Sequence, residues 1–280
     1  MPEPPAVSVV VPTRNRADYL EVALRSLIEQ DGVPPHELLV VDDGSTDETA
    51  AVVARAGARR VRLAGNGLNA ARNAGVRETT GAVIAFVDDD VWAPPGWVDA
   101  IARGAENHPE AAAFGGPIRA RMEGPSPSAC GREAPPITTL DLGPEDREAP
   151  MVWGANFAVR REAIEHHGPF DESVGGHGDE EDWLLGLKRS GGRIAYLADA
   201  GLDHRRAGDD CRLRSLMRAA YRRGRGARRT DERRRVAPAL AVESRNVAGA
   251  GWHAARRVCP QGLIMGAHST GRLVEGLSRQ

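Results

Sequence analysis

A chain of 280 residues with 41% hydrophobic and 27% charged side chains has the composition of an ordinary globular protein, long enough for one large α/β domain with an appendage or for two small domains. No apolar run approaches the ~20 residues needed to span a bilayer and no signal-peptide core opens the chain, so a cytoplasmic protein is expected. The net charge of −2 conceals a basic stretch: residues 205–235 hold thirteen arginines against four acids, and Lys188 is the only lysine. Cys130, Cys211 and Cys259 stand far apart without metal-ligand spacing, as in a reducing compartment.

Residues 7–11 (VSVVV) form an apolar β-branched run, the mark of a strand buried on both faces. A polar turn follows, then 17–30 with Leu20, Ala23, Leu24, Leu27 and Ile28 at helical spacing. The alternation repeats: strand 37–41, helix 46–57, strand 59–63, helix 68–78 and strand 82–87. Strands alternating with helices predict a mostly parallel sheet covered on both faces, with ligands at the carboxyl ends of its strands. A helix near 97–107 and a strand near 111–119 come next. Residues 120–150, rich in Pro, Gly and Glu, read as a long mobile loop able to close over a ligand. Order returns at 151–160, with helices at 161–167 and 180–190 and strands near 193–197 and 200–204. Beyond 205 the chain reads as helical, with a first helix over 209–224 capped by Asp209 or Asp210 and a weaker helical stretch over 246–277. The expected organisation is a first half (1–100), a second half of the same domain (101–205) and an Arg-rich helical extension (206–280).

Four clusters at the ends of these elements carry candidate chemistry. Asp42-Asp43 closes the strand 37–41; the following GSTD also makes an ordinary turn, with Ser45 or Thr46 capping the next helix. Asp88-Asp89-Asp90 directly follows AVIAFV, and three crowded carboxylates repel one another unless a hard cation such as Mg²⁺ or Mn²⁺ lies among them. Asp179-Glu180-Glu181-Asp182 opens a helix, where the dipole alone favours acids. His204 ends the last strand, and imidazole is a common metal donor.

Taken together and in order, VSVVVPTRNRADYLEVALRSLIEQ, LLVVDDGSTDET, GLNAARNAGVRETTGAVIAFVDDD, WGANFAVRREAIEHHGPFDES, EEDWLLGLK and YLADAGLDH resemble the family 2 glycosyltransferases of the GT-A fold, a Rossmann-like α/β fold. The resemblance spans residues 7–205 and implies roles position by position. Pro12, Thr13, Arg14 and Asp43 would contact the base, Arg72 would lie near the donor phosphates, and Asp88, with Asp89 beside it, would face the nucleotide. Asp90 and His204 would hold Mn²⁺ or Mg²⁺. In the Glu181-Asp182 pair the aspartate would be the general base of an inverting transfer. Trp153, Gly154 and Asn156, with Trp183, would line the acceptor and donor-sugar side. Two positions depart from the pattern. Arg14 stands where many members stack an aromatic on uracil, which leaves the base open, and Leu184 replaces a further acid that often follows the pair.

The implied function is transfer of a sugar from a UDP-, GDP- or dTDP-linked donor to an acceptor hydroxyl on a polysaccharide, lipid or secondary metabolite. A sugar-phosphate nucleotidyltransferase fits less well, since PTRNRADYL has neither the glycines nor the lysine of such a phosphate loop. A non-catalytic nucleotide-sugar-binding protein would not need Asp182. Nucleic acid is not expected, because the arginine cluster lacks interleaved aromatics. Arg212, Arg218, Arg222 and Arg225 lie mostly off the stripe of Leu213, Leu216, Met217, Ala220 and Tyr221, so the basic face is expected either to be solvated or to touch an anionic membrane from the cytoplasmic side.

Overall fold

The computed structural model describes residues 6–30, 36–128, 136–174 and 179–278. These fall into two compact units. One comprises the described residues of Met1–Ala120, Thr138–Gly175 and Asp179–Arg205, the other those of Arg121–Ile137 and Arg206–Gln280.

The first unit is built on strands β1 (Val7–Thr13), β2 (His36–Asp42), β3 (Arg59–Arg62) and β4 (Val83–Val87), with helices α1 (Ala17–Ile28), α2 (Thr49–Arg55) and α3 (Leu68–Glu78) between them. It continues through β5 (Val91–Trp92), α4 (Trp97–Asn107), β6 (Ala111–Gly115), the start of β7 (Ile118–Glu123), β8 (Arg147–Glu148), β9 (Asn156–Arg160), α5 (Arg161–His167), α6 (Asp179–Arg189), β10 (Arg193–Tyr196) and the start of β11 (Leu202–Ala207), the last residues of β7 and β11 being counted with the second unit. The main sheet has the order β3-β2-β1-β4-β9-β6-β10-β8, and a small one has β5-β11-β7.

The β-branched run of β1 is buried along its whole length because both faces of the sheet are covered. Val7, Val9 and Val11 point to the side of α1 and α4, joining Leu20, Leu24, Leu27, Trp97 and Ile101. Val10 points to the other side, with Ala71 and Ala74 of α3, Ile164 of α5 and Leu184 and Leu187 of α6. Each fully buried leucine contributes ~1.5–3 kcal/mol by leaving water.

Pairs β1–β2, β2–β3, β1–β4 and β6–β10 are parallel, as the alternation predicts. Strand β9 runs antiparallel to both β4 and β6, since no crossover helix leads into it. The strand expected over 111–119 is broken into β6 and β7 at Gly116-Pro117. Helix α2 starts at Thr49 rather than 46, because the residues before it are committed elsewhere. The Asp47 carboxylate accepts from the Thr49 and Ala17 N–H groups (3.1 and 3.0 Å), and the Thr46 N–H donates to Asn15 (2.8 Å). Neither Ser45 nor Thr46 caps it.

The expected loop over 120–150 is more ordered than its composition suggests. Leu140 exchanges both backbone hydrogen bonds with Ile118 (2.8 and 3.1 Å), β8 pairs with β10, and Ile137 and Ala149 are buried. Residues 129–135 of that loop lie outside the described residues.

The second unit holds a 3₁₀ turn (Gly208–Cys211) and helices α7 (Leu213–Arg233), α8 (Leu240–Arg257) and α9 (Pro260–Leu277). Helix α7 begins after Arg212 with no side-chain cap from Asp209 or Asp210; Asp209 instead pairs with Arg212 at 2.9 Å. Leu216, Ala220 and Ile264 form its apolar centre. Glycines let α7 and α9 touch backbone to backbone, since a Cβ on Gly224 would strike the His268 carbonyl and one on Gly271 the Tyr221 carbonyl. The expected solvated arginine face is partly used internally: Arg225 and Arg229 pair with Glu275 (2.6 and 3.1 Å), and Arg228 with Glu232 (2.6 Å). The weak helical signal over 246–277 resolves into α8 and α9, separated by Val258 in the left-handed region (φ 49°).

Candidate active site

In the order β3-β2-β1-β4 the chain direction of assembly reverses between β1 and β4, which opens a crevice at their carboxyl ends. The residues at those ends are Thr13 with 14–16, and Asp88-Asp89-Asp90. They interlock. The Thr13 hydroxyl donates to Asp89 (2.7 Å), and the Arg16 guanidinium bridges Asp89 Oδ1 (3.0 Å) and Asp90 Oδ2 (2.8 Å) while lying over the Tyr19 ring. Burial pushes the Asp89 carboxyl up to about 7 against the pull of Arg16, with the Asp90 charge adding to the rise.

The strand pairing β5–β11 sets His204 opposite Val91, beside the aspartate turn. His204 Nε2 lies 3.1 Å from Asp90 Oδ1, and its Nδ1 lies 3.2 Å from the Thr138 carbonyl. With Nδ1–H directed at that carbonyl, Nε2–H faces the carboxylates, and a cation bound there would take the place of that proton. One ligand atom each from Asp88, Asp90 and His204 lie within 4.8 Å of one another. Burial, then the neighbouring Asp90 charge, hold the Asp88 carboxyl above its ordinary range. Burial pulls His204 down, but the Asp90 hydrogen bond and the charges of Asp90 and Asp88 raise it overall. Two buried or half-buried carboxylates and an oriented imidazole are a donor set that a divalent cation fits.

On the β2 side the adjacent acids separate. Asp42 is buried and structural: it accepts the Ser45 N–H (2.7 Å) and pairs with Arg60 (3.3 Å). Asp43 is tied by its N–H to the Thr13 carbonyl (2.9 Å), and its carboxylate accepts the Asn66 and Gly67 N–H groups (2.7 and 3.0 Å). Arg14 is exposed 3.6 Å from Asp43, its guanidinium resting where a Cβ on Gly65 would make contact. Pro12 is buried at the end of β1.

On the other side of the crevice Arg72 is 2% exposed, over the Phe157 and Phe170 rings. It donates to Asn69 (3.1 Å) and lies 3.5 Å from Glu180. Glu180 also accepts the Gly154 N–H (3.1 Å), and a Cβ on Gly154 would fall 2.8 Å from the Arg72 guanidinium and 3.0 Å from Glu180, so a larger residue there would displace one of those side chains. Glu181 and Asp182 occupy the first turn of α6, partly exposed. Trp153 is half-buried against the first core.

Two expected sugar-side contacts are taken up by the protein itself. Asn156 is 1% exposed; its amide donates to the Pro117 and Ala200 carbonyls (3.2 and 2.8 Å), and its oxygen accepts from the Trp97 indole (3.2 Å). Trp183 is buried against Phe170 and His167, its indole donating to the Gly168 carbonyl (2.9 Å). Arg16 and Thr138 entered the site unannounced, because each acts through a long-range contact that no spacing encodes.

Residues 8–168 match the family model described as glycosyl transferase family 2. Among curated proteins the chain is 26% identical over 216 residues to glucosyl-dolichyl phosphate glucuronosyltransferase of Haloferax volcanii, covering 71% of this chain and 69% of that one. It is 32% identical over 224 residues to pre-mycofactocin glycosyltransferase of Mycobacterium tuberculosis, covering 73% of this chain but 45% of the relative. Of solved structures, a mannosyltransferase from Pyrobaculum calidifontis in complex with GDP-Man and Mn²⁺ superposes with a TM-score of 0.66 at 20% identity, over 100% of this chain and 89% of that one. GalNAc-T7 with UDP, GalNAc and Mn²⁺ gives 0.59 at 15% identity, over 81% and 48%. The fold is therefore GT-A, and the chain belongs to glycosyl transferase family 2 as a glycosyltransferase.

Proposed function

We propose that this glycosyltransferase is metal-dependent and inverting, and that it moves a sugar from a nucleoside diphosphate to an acceptor hydroxyl. The observation that carries the reading is the Asp88, Asp90 and His204 cluster at the mouth of the β1–β4 crevice. These three residues would hold Mn²⁺ or Mg²⁺. The mixture of oxygen donors with an imidazole favours Mn²⁺, since Mg²⁺ prefers oxygen alone. The Mn²⁺ in the two structural neighbours supports the same choice. Held by these residues, such a cation would supply positive charge against the charge that grows on the departing diphosphate, a contribution of several kcal/mol.

The remaining roles belong to the chain's own groups. Asp43, Pro12, Thr13 and Arg14 face the nucleotide, with Arg14 supplying a planar guanidinium for a base to rest on. Asp89 works indirectly, fixing Arg16 against Asp90. Arg72 presents a buried positive charge, steadied by Glu180, on the phosphate side. Asp182 takes the acceptor's proton on a carboxylate oxygen as the hydroxyl attacks opposite the leaving group, with Glu181 beside it. A positioned base of this kind contributes ~10²–10⁴ in rate. Trp153 and Gly154 border the sugar, residues 1–100 form the nucleotide half and 101–205 the acceptor half.

The relatives' names give acceptors as different as glucosyl-dolichyl phosphate and validoxylamine A, in keeping with a hydroxyl acceptor that the donor half does not dictate. Incubating the protein and Mn²⁺ with GDP-, UDP- and dTDP-sugars, with acceptors from both classes, tests the reading. Nucleoside diphosphate release coupled to an inverted glycoside supports it; a product with retained anomeric configuration refutes the assignment of Asp182.

A further inference from the structure

Helix α8 has two very different sides. Its inner side is fixed by α9: a Cβ on Gly262 would press on the backbone of Ala254 and the carbonyl of Ala250, and Ala250 is buried. On that same side Glu243 is fully buried between Arg272 (2.8 Å) and Arg228 (3.6 Å). The residues about half a turn away form a stripe at helical spacing: Arg245, Gly249, Trp252 and Arg256. All four are exposed, and Trp252 presents 70% of its surface to solvent. Val258, which follows the end of α8, is 87% exposed.

The charge on this stretch is one-sided. Between 240 and 278 the acids are Glu243 and Glu275, both buried and both engaged with arginines. The exposed charges left on α8 are Arg245, Arg256 and Arg257. A helix with an outward tryptophan framed by arginines and no exposed acid matches the apolar-plus-cationic chemistry of an interfacial helix. Of the arginines expected from the sequence to make such a contact, Arg225 already serves Glu275.

We propose that the outer stripe of α8 lies on an anionic lipid surface, with Trp252 seated at the headgroup boundary and Arg245 and Arg256 on lipid phosphates. The inference does not depend on which donor or acceptor the enzyme uses. Co-sedimentation with vesicles of equimolar phosphatidylglycerol and phosphatidylcholine, against pure phosphatidylcholine, reads it directly. The whole chain is expected to pellet with the anionic vesicles and to be released by salt. Trp252→Ala should weaken that binding, and Arg245→Gln with Arg256→Gln should weaken it by ~five-fold per arginine. Both variants should keep the wild-type melting temperature and nucleotide binding. Equal pelleting with both vesicles, pelleting with neither, or wild-type binding by both variants overturns the proposal. So does a concentration-dependent dimer that Trp252→Ala dissolves, which assigns the stripe to a second copy of the chain.

Discussion

His204 Nε2 meets Asp90 Oδ1 at 3.1 Å, while the other nitrogen of the same ring lies 3.2 Å from the Thr138 carbonyl. The imidazole is thus held from behind by a backbone acceptor and aimed at the aspartate turn. Oriented in this way, it would meet a cation as a ligand already in place, which would lower the ordering cost of binding.

Replacing His204 with Ala removes one of three donors and should weaken Mn²⁺ binding by at least ~10-fold. The stabilisation that saturating Mn²⁺ and nucleoside diphosphate give the wild type, ~2.7 kcal/mol at 100 times the dissociation constant, should shrink accordingly. Calorimetric titration checks this; an unchanged Mn²⁺ affinity removes His204 from the metal site.

Asp182→Asn should lower kcat by ~10²–10⁴ and leave donor affinity nearly unchanged, because the base acts on the acceptor. Single-turnover kinetics with saturating donor separate the two quantities. Turnover near the wild-type rate would pass the role to Glu181.

Asn156→Ala should act on stability and not on substrate affinity. It strips the Trp97 indole and the Ala200 carbonyl of a buried partner, while the Pro117 carbonyl keeps the Leu202 N–H (3.0 Å). One or two such groups left unsatisfied cost roughly 2–5 kcal/mol. Urea unfolding measures the loss, and a stable variant with a raised acceptor KM would return Asn156 to the sugar side.

The second unit should loosen in mild acid. Burial, then the charges of Arg272 and Arg223, hold the His268 imidazole below its ordinary 6.5. The unfolded chain then takes up a proton first as pH falls, so stability present above about 6.5 is lost below it. His268→Gln should reduce the difference in melting temperature between pH 7.5 and pH 5.5. An equal difference in both proteins would locate the acid sensitivity elsewhere.

Where local signals were strong, the sequence was sufficient. The valines of β1, the helical spacing of α1 and the apolar run before Asp88 each report burial through periodicity, and burial is what the fold rests on. The crevice followed, because strand ends and topology together locate it. Periodicity has nothing to say about a contact between distant residues. Arg16 is one more arginine in a polar turn until β4 brings Asp89 and Asp90 to it. Asn156 sits in a motif that suggested a sugar contact, and only the arrival of Trp97, Pro117 and Ala200 turns it into a buried lock. The antiparallel entry of β9 was hidden for a related reason: direction depends on how a connection crosses the sheet, not on the strand's own residues.

Sugar transfer followed while metal-stripped protein is titrated with Mn²⁺ tests metal-dependent catalysis at Asp88, Asp90 and His204 most directly. The initial rate should be negligible under EDTA, rise hyperbolically to a plateau with Mn²⁺, and stay negligible at every Mn²⁺ concentration in Asp90→Ala. Full-rate transfer by the chelated wild type, or a normal titration by Asp90→Ala, would contradict it.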